Sequence, residues 1–238
     1  MQSDVARAAI EGTPNRGADV RRQTLGVVFR RVVRSVMTHP LTMAAKAPIK
    51  DVLWTMRGRG LRNPPFGREV RSVLFLCHGN ICRSPFASER AAQLLARAGI
   101  RDVYCASAGI AANQANECPS DARAAAEVFG VHLDVHTPTL LTPAMMDEFE
   151  LIVVMEAAQL RLLRERFEHA GSRLVLLSLL DGANRGGYAR YNIADPFGQP
   201  RTAFDACYDR IDRSLQSLIH TLSTSRLQPA AERPATTR

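Results

Sequence analysis

Four short apolar runs divide the later two-thirds of the chain: Ser72–Leu76 (SVLFL), Val103–Ala106, Leu151–Met155 (LIVVM) and Leu174–Leu177. The strongest of them, SVLFL and LIVVM, are rich in strand formers and show no polar alternation, the pattern of strands covered on both faces. Between the runs, apolar residues take helical spacing. Ser84 followed by Pro85 marks a helix start, a capping hydroxyl with proline at the first helical position, and Gly99 marks its stop. Further helices are predicted at Pro119–Phe129 before Gly130, at 157–168 and from Thr202 to Leu222, with 181–200 as a long loop. Strands alternating with helices predict one α/β domain over 71–222, built on a parallel sheet. The polar tail 223–238 reads as disordered.

Upstream the texture differs. Residues 1–22 are polar and small. Over 24–37, Leu25, Val28, Phe29, Val32, Val33, Val36 and Met37 fall on one helical face and Arg30, Arg31 and Arg34 on the other. Residues 56–70 are rich in Arg, Gly and Pro and read as a linker. Residues 1–70 therefore read as a largely disordered extension carrying one amphipathic helix.

Charge sharpens that division. The net +8 lies entirely in residues 1–70, with 13 basic and five acidic side chains, whereas the remainder balances 18 against 18. A neutral domain with a basic appendage argues against a nucleic-acid-coating protein. The 24–37 helix is suited to weak contact with an anionic membrane surface. The competing readings are disorder, packing on the domain, or a translation start at Met43 or Met56. Five cysteines without a CxxC pair give neither a disulfide scaffold nor a metal site. With no spanning run and no signal peptide, a reducing cytoplasmic setting is the expectation.

The turn after the first strand reads Cys77-His78-Gly79-Asn80-Ile81-Cys82-Arg83-Ser84. It sits where a parallel strand ends and a helix begins, the position at which α/β sheets bind ligands. Backbone N–H groups and the helix terminus together suit a tetrahedral oxyanion, and the same dipoles favour a thiolate. Arg83 adds a planar fork for two phosphoryl oxygens. A thiolate beneath phosphorus with an Arg beside it points to phosphoryl transfer through a cysteinyl-phosphate.

The motif CHGNICRSP closely resembles the active-site loop of the low-molecular-weight protein tyrosine phosphatases. The resemblance continues through Ser107-Ala108-Gly109, Gly130, His136, LIVVME at 151–156 and Asp195-Pro196-Phe197. It looks most like the bacterial branch associated with exopolysaccharide and capsule export. It implies a three-layer α/β fold, a four-stranded parallel sheet flanked by helices with a phosphate-binding loop after the first strand, and no cofactor. It also implies roles. Cys77 is the nucleophile, Arg83 the phosphate clamp and Asp195 the general acid, then base. His78, Gly79, Asn80, Ile81, Cys82 and Ser84 form the phosphate cradle, with Ser84 bonded to the thiolate. Ser107 and His136 join a network around a strained Asn80, and Pro196 stiffens the acid loop. Cys82 is either a disulfide partner for Cys77 under oxidation or a small packed residue. The implied substrate is a phosphotyrosine protein, specifically a bacterial tyrosine kinase.

Two related activities share the fold. Thioredoxin-coupled arsenate reductases need two further cysteines after the third strand, and this chain has none between Cys118 and Cys207. Protein-arginine phosphatases tend to carry Thr where this loop has Ile81. The cleft wall at Ala111, Ala112 and Asn113 lacks the aromatic residue common in the family, and Tyr188 and Tyr191 read as solvated rim residues.

Overall fold

The structure, a computed structural model, describes residues 51–66, 70–183 and 186–227. The helix expected at 24–37 and the tail 228–238 lie outside the described residues. Four parallel strands, β1 (Ser72–Cys77), β2 (Tyr104–Gly109), β3 (Leu151–Val154) and β4 (Leu174–Leu176), form one sheet in the order β2-β1-β3-β4. Among the described residues seven α-helices flank it: α1 (51–58), α2 (Arg83–Arg97), α3 (Ser120–Glu127), α4 (Pro143–Glu148), α5 (Ala157–Arg166), α6 (Gly187–Tyr191) and α7 (Arg201–Leu227). Among the described residues no helix is long and apolar enough to cross a membrane.

The unbroken apolarity of the strands has a direct cause. Val73, Phe75, Leu151, Val153 and Val175 point into a core shared with α2, α3 and α7. Their alternates Leu74, Leu76, Ile152, Val154, Leu174 and Leu176 point into a second core against α4 and α5. Each such side chain contributes about 1.5–3 kcal/mol through burial. On the first face α2 and α7 are locked by Phe86 stacked on Tyr208, ring centroids 3.9 Å apart, and by the Arg90–Asp212 ion pair at 2.6 Å.

Several elements depart from the sequence-based expectation. α2 begins at Arg83, and Ser84 makes no capping bond; its buried hydroxyl faces the loop instead. α4 was not expected, although Thr142 caps it by accepting the Met145 N–H and Pro143 stands in its first turn. The 181–200 loop contains α6. α7 runs to Leu227 rather than 222, where Arg226 pairs with Asp102 at 2.5 Å and donates to the Val70 carbonyl.

The largest departure lies before β1. Residues 51–66, assigned on sequence to the extension and linker, pack on the domain. Trp54 meets Tyr188 edge-on and stacks with Tyr191, at 5.6 and 6.4 Å between ring centroids. Tyr191 is accordingly buried and Tyr188 half-buried, not solvated rim residues. Asn63 pairs with the edge strand β4 as a neighbouring strand would, its Nδ2 donating to the Leu176 carbonyl and its Oδ1 accepting the Leu176 N–H.

Candidate active site

The loop from Cys77 to Arg83 closes around the cysteine sulfur. Asn80 N–H donates to Cys77 Sγ at 3.3 Å, and Ser84 Oγ lies 3.0 Å from the same atom. A backbone N–H and a hydroxyl thus converge on one sulfur.

Asn80 carries the loop's shape. Its φ is +54°, the single positive value outside glycine among the described residues, and asparagine tolerates that region better than most residues. Every polar atom of its side chain is used: Nδ2 donates to Ser84 Oγ and Ser107 Oγ, both at 2.9 Å, and Oδ1 accepts the Thr139 N–H at 2.7 Å. Its carbonyl lies 2.7 Å from His136 Nε2. A carbonyl only accepts, so His136 holds its proton on Nε2. Gly109 allows the close approach: a Cβ there would sit 2.8 Å from both Asn80 N and His78 O. The Ser-Ala-Gly stretch of β2 thus supplies one hydroxyl contact and the clearance for the loop.

Arg83 is 1% exposed and reaches two carboxylates, with Nη1 on Glu156 Oε1 and Nη2 on Asp195 Oδ2, each at 2.5 Å. Nη1 also donates to the Ile193 carbonyl at 3.0 Å. Burial works against its charge, yet the surrounding Cys77, Asp195 and Glu156 outweigh that and hold its pKa above the ordinary value. Its Nε is buried without a protein partner. Glu156 precedes α5 and forms a capping box with Gln159, so the strand-to-helix turn after β3 delivers its carboxylate to the loop after β1. Glu156 closes the LIVVME motif, and its place in the site comes from the fold rather than from that motif.

Asp195 lies between α6 and α7. Its Oδ1 accepts the Phe197 N–H at 3.2 Å, and Pro196 beside it is buried. One pocket is lined by Cys77, His78, Gly79, Ile81, Cys82 and Arg83, with exposed Ala111, Asn116, Asp195 and Phe197 completing it. Asn80, Ser84, Ser107 and His136 stand behind this surface as support. The cradle residues and Asp195 expected from the sequence meet at this pocket, whereas Ala112 and Asn113 do not line it. Of the expected cleft wall, Ala111 lines the pocket, and Phe197 supplies an exposed aromatic ring. Among the described residues no three His, Cys, Asp or Glu side chains group as metal ligands.

Cys77 and Cys82 are both free thiols. Burial, reinforced by Cys118, Asp195 and Cys77, pushes the Cys82 thiol far above its usual range despite Arg83. Cys82 therefore stays protonated, and its carbonyl accepts from Tyr208 Oη at 3.2 Å, tying the loop to α7.

Comparison with known proteins agrees with this geometry. Residues 72–228 match the family model described as low molecular weight phosphotyrosine protein phosphatase. The chain is 28% identical to the probable low molecular weight protein-tyrosine-phosphatase EpsP of Ralstonia nicotianae, over 63% of this chain and 94% of that protein. It is 30% identical to AmsI of Erwinia amylovora, named likewise, over 65% and 99%. The crystal structure of that tyrosine phosphatase superposes with a TM-score of 0.57, covering 65% of this chain and 94% of the other. A protein-arginine-phosphatase of Geobacillus stearothermophilus is 28% identical, over 64% of this chain and 96% of that one. The chain belongs to the low molecular weight phosphotyrosine protein phosphatase family.

Proposed function

We propose that the protein hydrolyses phosphotyrosine in a protein substrate through a cysteinyl-phosphate on Cys77, with Arg83 as phosphate clamp and Asp195 as general acid and base. One observation carries the reading: a single pocket gathers a sulfur faced by the Asn80 N–H and the Ser84 hydroxyl, a buried guanidinium and a carboxylate.

In the first half-reaction the Cys77 thiolate attacks phosphorus as the bond to the tyrosyl oxygen breaks. Arg83 Nε and the loop N–H groups donate to the phosphoryl oxygens, while Glu156 and the Ile193 carbonyl hold Nη1 in place. Asp195 gives its proton to the departing phenolic oxygen, which leaves poorly as an anion. In the second half-reaction the Asp195 carboxylate takes a proton from water, whose oxygen attacks phosphorus. Sulfur departs as thiolate, and inorganic phosphate is released. Ser84 has one hydroxyl proton and two acceptors in reach, Cys77 Sγ at 3.0 Å and the Ala108 carbonyl at 3.3 Å. Negative charge on sulfur draws that proton to Cys77, easing its departure.

The protein substrate proposed is a tyrosine kinase of bacterial polysaccharide export. Steady-state hydrolysis of a phosphotyrosine peptide, beside a phosphoarginine peptide, tests substrate class with wild type, Cys77→Ser and Asp195→Asn. The expected result is preference for phosphotyrosine, no turnover by Cys77→Ser, and a rate loss of about 10²-fold or more for Asp195→Asn. Preference for phosphoarginine would transfer the same chemistry to the other substrate class.

A further inference from the structure

The general acid proposed above follows a short helix that α7 holds from within, Arg210 donating to the Ala189 and Asn192 carbonyls. Ala194, Asp195, Phe197 and Gly198 are all exposed, and the preceding helix α6 has five residues, too few to persist alone. Against α6 there also stands α1, which lies before the residues matched by the family model. The fit is close on both sides. A Cβ on Gly58 would fall 2.1 Å from Tyr191 Cε2, and one on Gly187, at φ +58°, would fall 2.4 Å from Asp51 Oδ1. Asp51 Oδ1 accepts the Tyr188 N–H at 2.9 Å, and the Trp54 ring covers Tyr188 and Tyr191 together. Arg161 of α5 holds α1 from its other flank, donating to the Arg57 carbonyl and lying 5.8 Å from the Trp54 ring.

From α6 a short run of buried residues leads to the acid. Asn192 Nδ2 donates to the Tyr188 carbonyl, and its Oδ1 accepts the Ala157 N–H beside Glu156. Ile193 N–H donates to the Met155 carbonyl, and its own carbonyl accepts from Arg83. Two residues later comes Asp195. The Tyr188 phenol is pushed up by burial and further by the Glu156 and Asp195 charges, so the residue under Trp54 lies within electrostatic reach of the site.

We propose that α1 braces the acid loop, with Trp54 and Asp51 as positioning residues for Asp195. The inference rests on Asp195 acting as the acid. In this role α1 fixes the outer side of α6, and α6 fixes where the carboxyl enters the pocket; a misplacement on the ångström scale lowers the rate only where a proton must be transferred.

The test uses the full chain and kcat/KM, which reports the steps up to cleavage of the P–O bond. Aryl phosphates are chosen from 2,4-dinitrophenyl phosphate, whose leaving group needs no proton, to phenyl phosphate, whose leaving group does. Trp54→Ala is expected to lose about tenfold on phenyl phosphate and less than about twofold on the dinitrophenyl ester. Trp54→Phe restores most of the loss, and Asp51→Ala gives a smaller loss of the same kind in a variant that leaves the ring contacts in place. In an Asp195→Asn background, Trp54→Ala adds nothing further. A uniform loss along the series, no loss, or the same loss without Asp195 would overturn the brace. Asp195→Asn alone is the reference. If its loss grows with leaving-group basicity and that of Trp54→Ala does not, only the brace falls; if its own loss is flat, the acid assignment falls with it.

Discussion

Arg83 Nη2 lies 2.5 Å from Asp195 Oδ2, so the proposed phosphate clamp and the proposed proton-transfer residue touch across the pocket. The two carboxylates on Arg83 differ in exposure: the Glu156 side chain is 24% exposed and the Asp195 side chain 42%. Glu156 is the better-covered anchor, and Asp195 the partner nearer to solvent and substrate.

Replacing Glu156 by Gln keeps its size and removes its charge. The buried guanidinium then loses its steadier counter-charge, at a cost of about 1–3 kcal/mol. The expected outcome is a lower midpoint in urea unfolding and an inhibition constant for inorganic phosphate raised about tenfold. Wild-type values of both would show that Asp195 and the Ile193 carbonyl hold Arg83 without the Glu156 charge.

Backbone strain and side-chain bonding at Asn80 are separable. Asn80→Gly relieves the positive φ but deletes the amide, while Asn80→Ala deletes the amide and retains a strain of about 1–2 kcal/mol. Both are expected to lose activity to a similar degree, with Asn80→Ala the less stable of the two. Gly109→Ala, whose Cβ would meet the Asn80 and His78 backbone at 2.8 Å, is expected to lose about 1–3 kcal/mol and to weaken vanadate binding. Unfolding curves and vanadate inhibition check these three variants.

The remaining thiols predict a pH profile for alkylation. Burial raises Cys118 from its ordinary 9.0 to about 11, and Cys105 and Cys207 to about 12. Their thiolate fraction is negligible near neutrality and grows only as pH climbs beyond 9. Iodoacetate at pH 7.5 is expected to modify Cys77 first and to abolish activity, with the other four, Cys82 included, reacting under native conditions only in the alkaline range. The same shifts set a stability trend. The folded state keeps protons that the unfolded state releases, so their stabilisation is complete below pH 9 and is lost as pH rises from 9 through 11–12. Peptide mapping after timed alkylation at pH 7.5 and 10 reads the order directly.

How much of this was legible in the sequence depended on how locally each feature is encoded. β1 and β3 could be read because both of their faces are covered, which leaves an uninterrupted apolar run. The phosphate loop could be read because its Cys, Arg and Ser sit within eight residues. Glu156 was overlooked as a site residue because its pairing with Arg83 bridges 73 positions. α6 escaped because five residues give no period. Residues 51–55 read as part of the extension and 56–66 as linker, the latter because Arg, Gly and Pro dominate it. Their order comes from long-range contacts: Trp54 against Tyr191, Gly58 beneath that ring, and Asn63 on an edge strand 113 residues away. α4 is the instructive exception, since Thr142-Pro143 carried a local start signal that went unread.

The covalent intermediate is the claim on which the rest depends. Asp195→Asn should form the phosphoenzyme from 2,4-dinitrophenyl phosphate, which needs no acid, and hydrolyse it slowly for want of a base. Rapid acid quench and peptide mass mapping should then find one phosphoryl group per chain, on Cys77. Absence of phosphate from Cys77 during turnover, or continued turnover by Cys77→Ser, would contradict it.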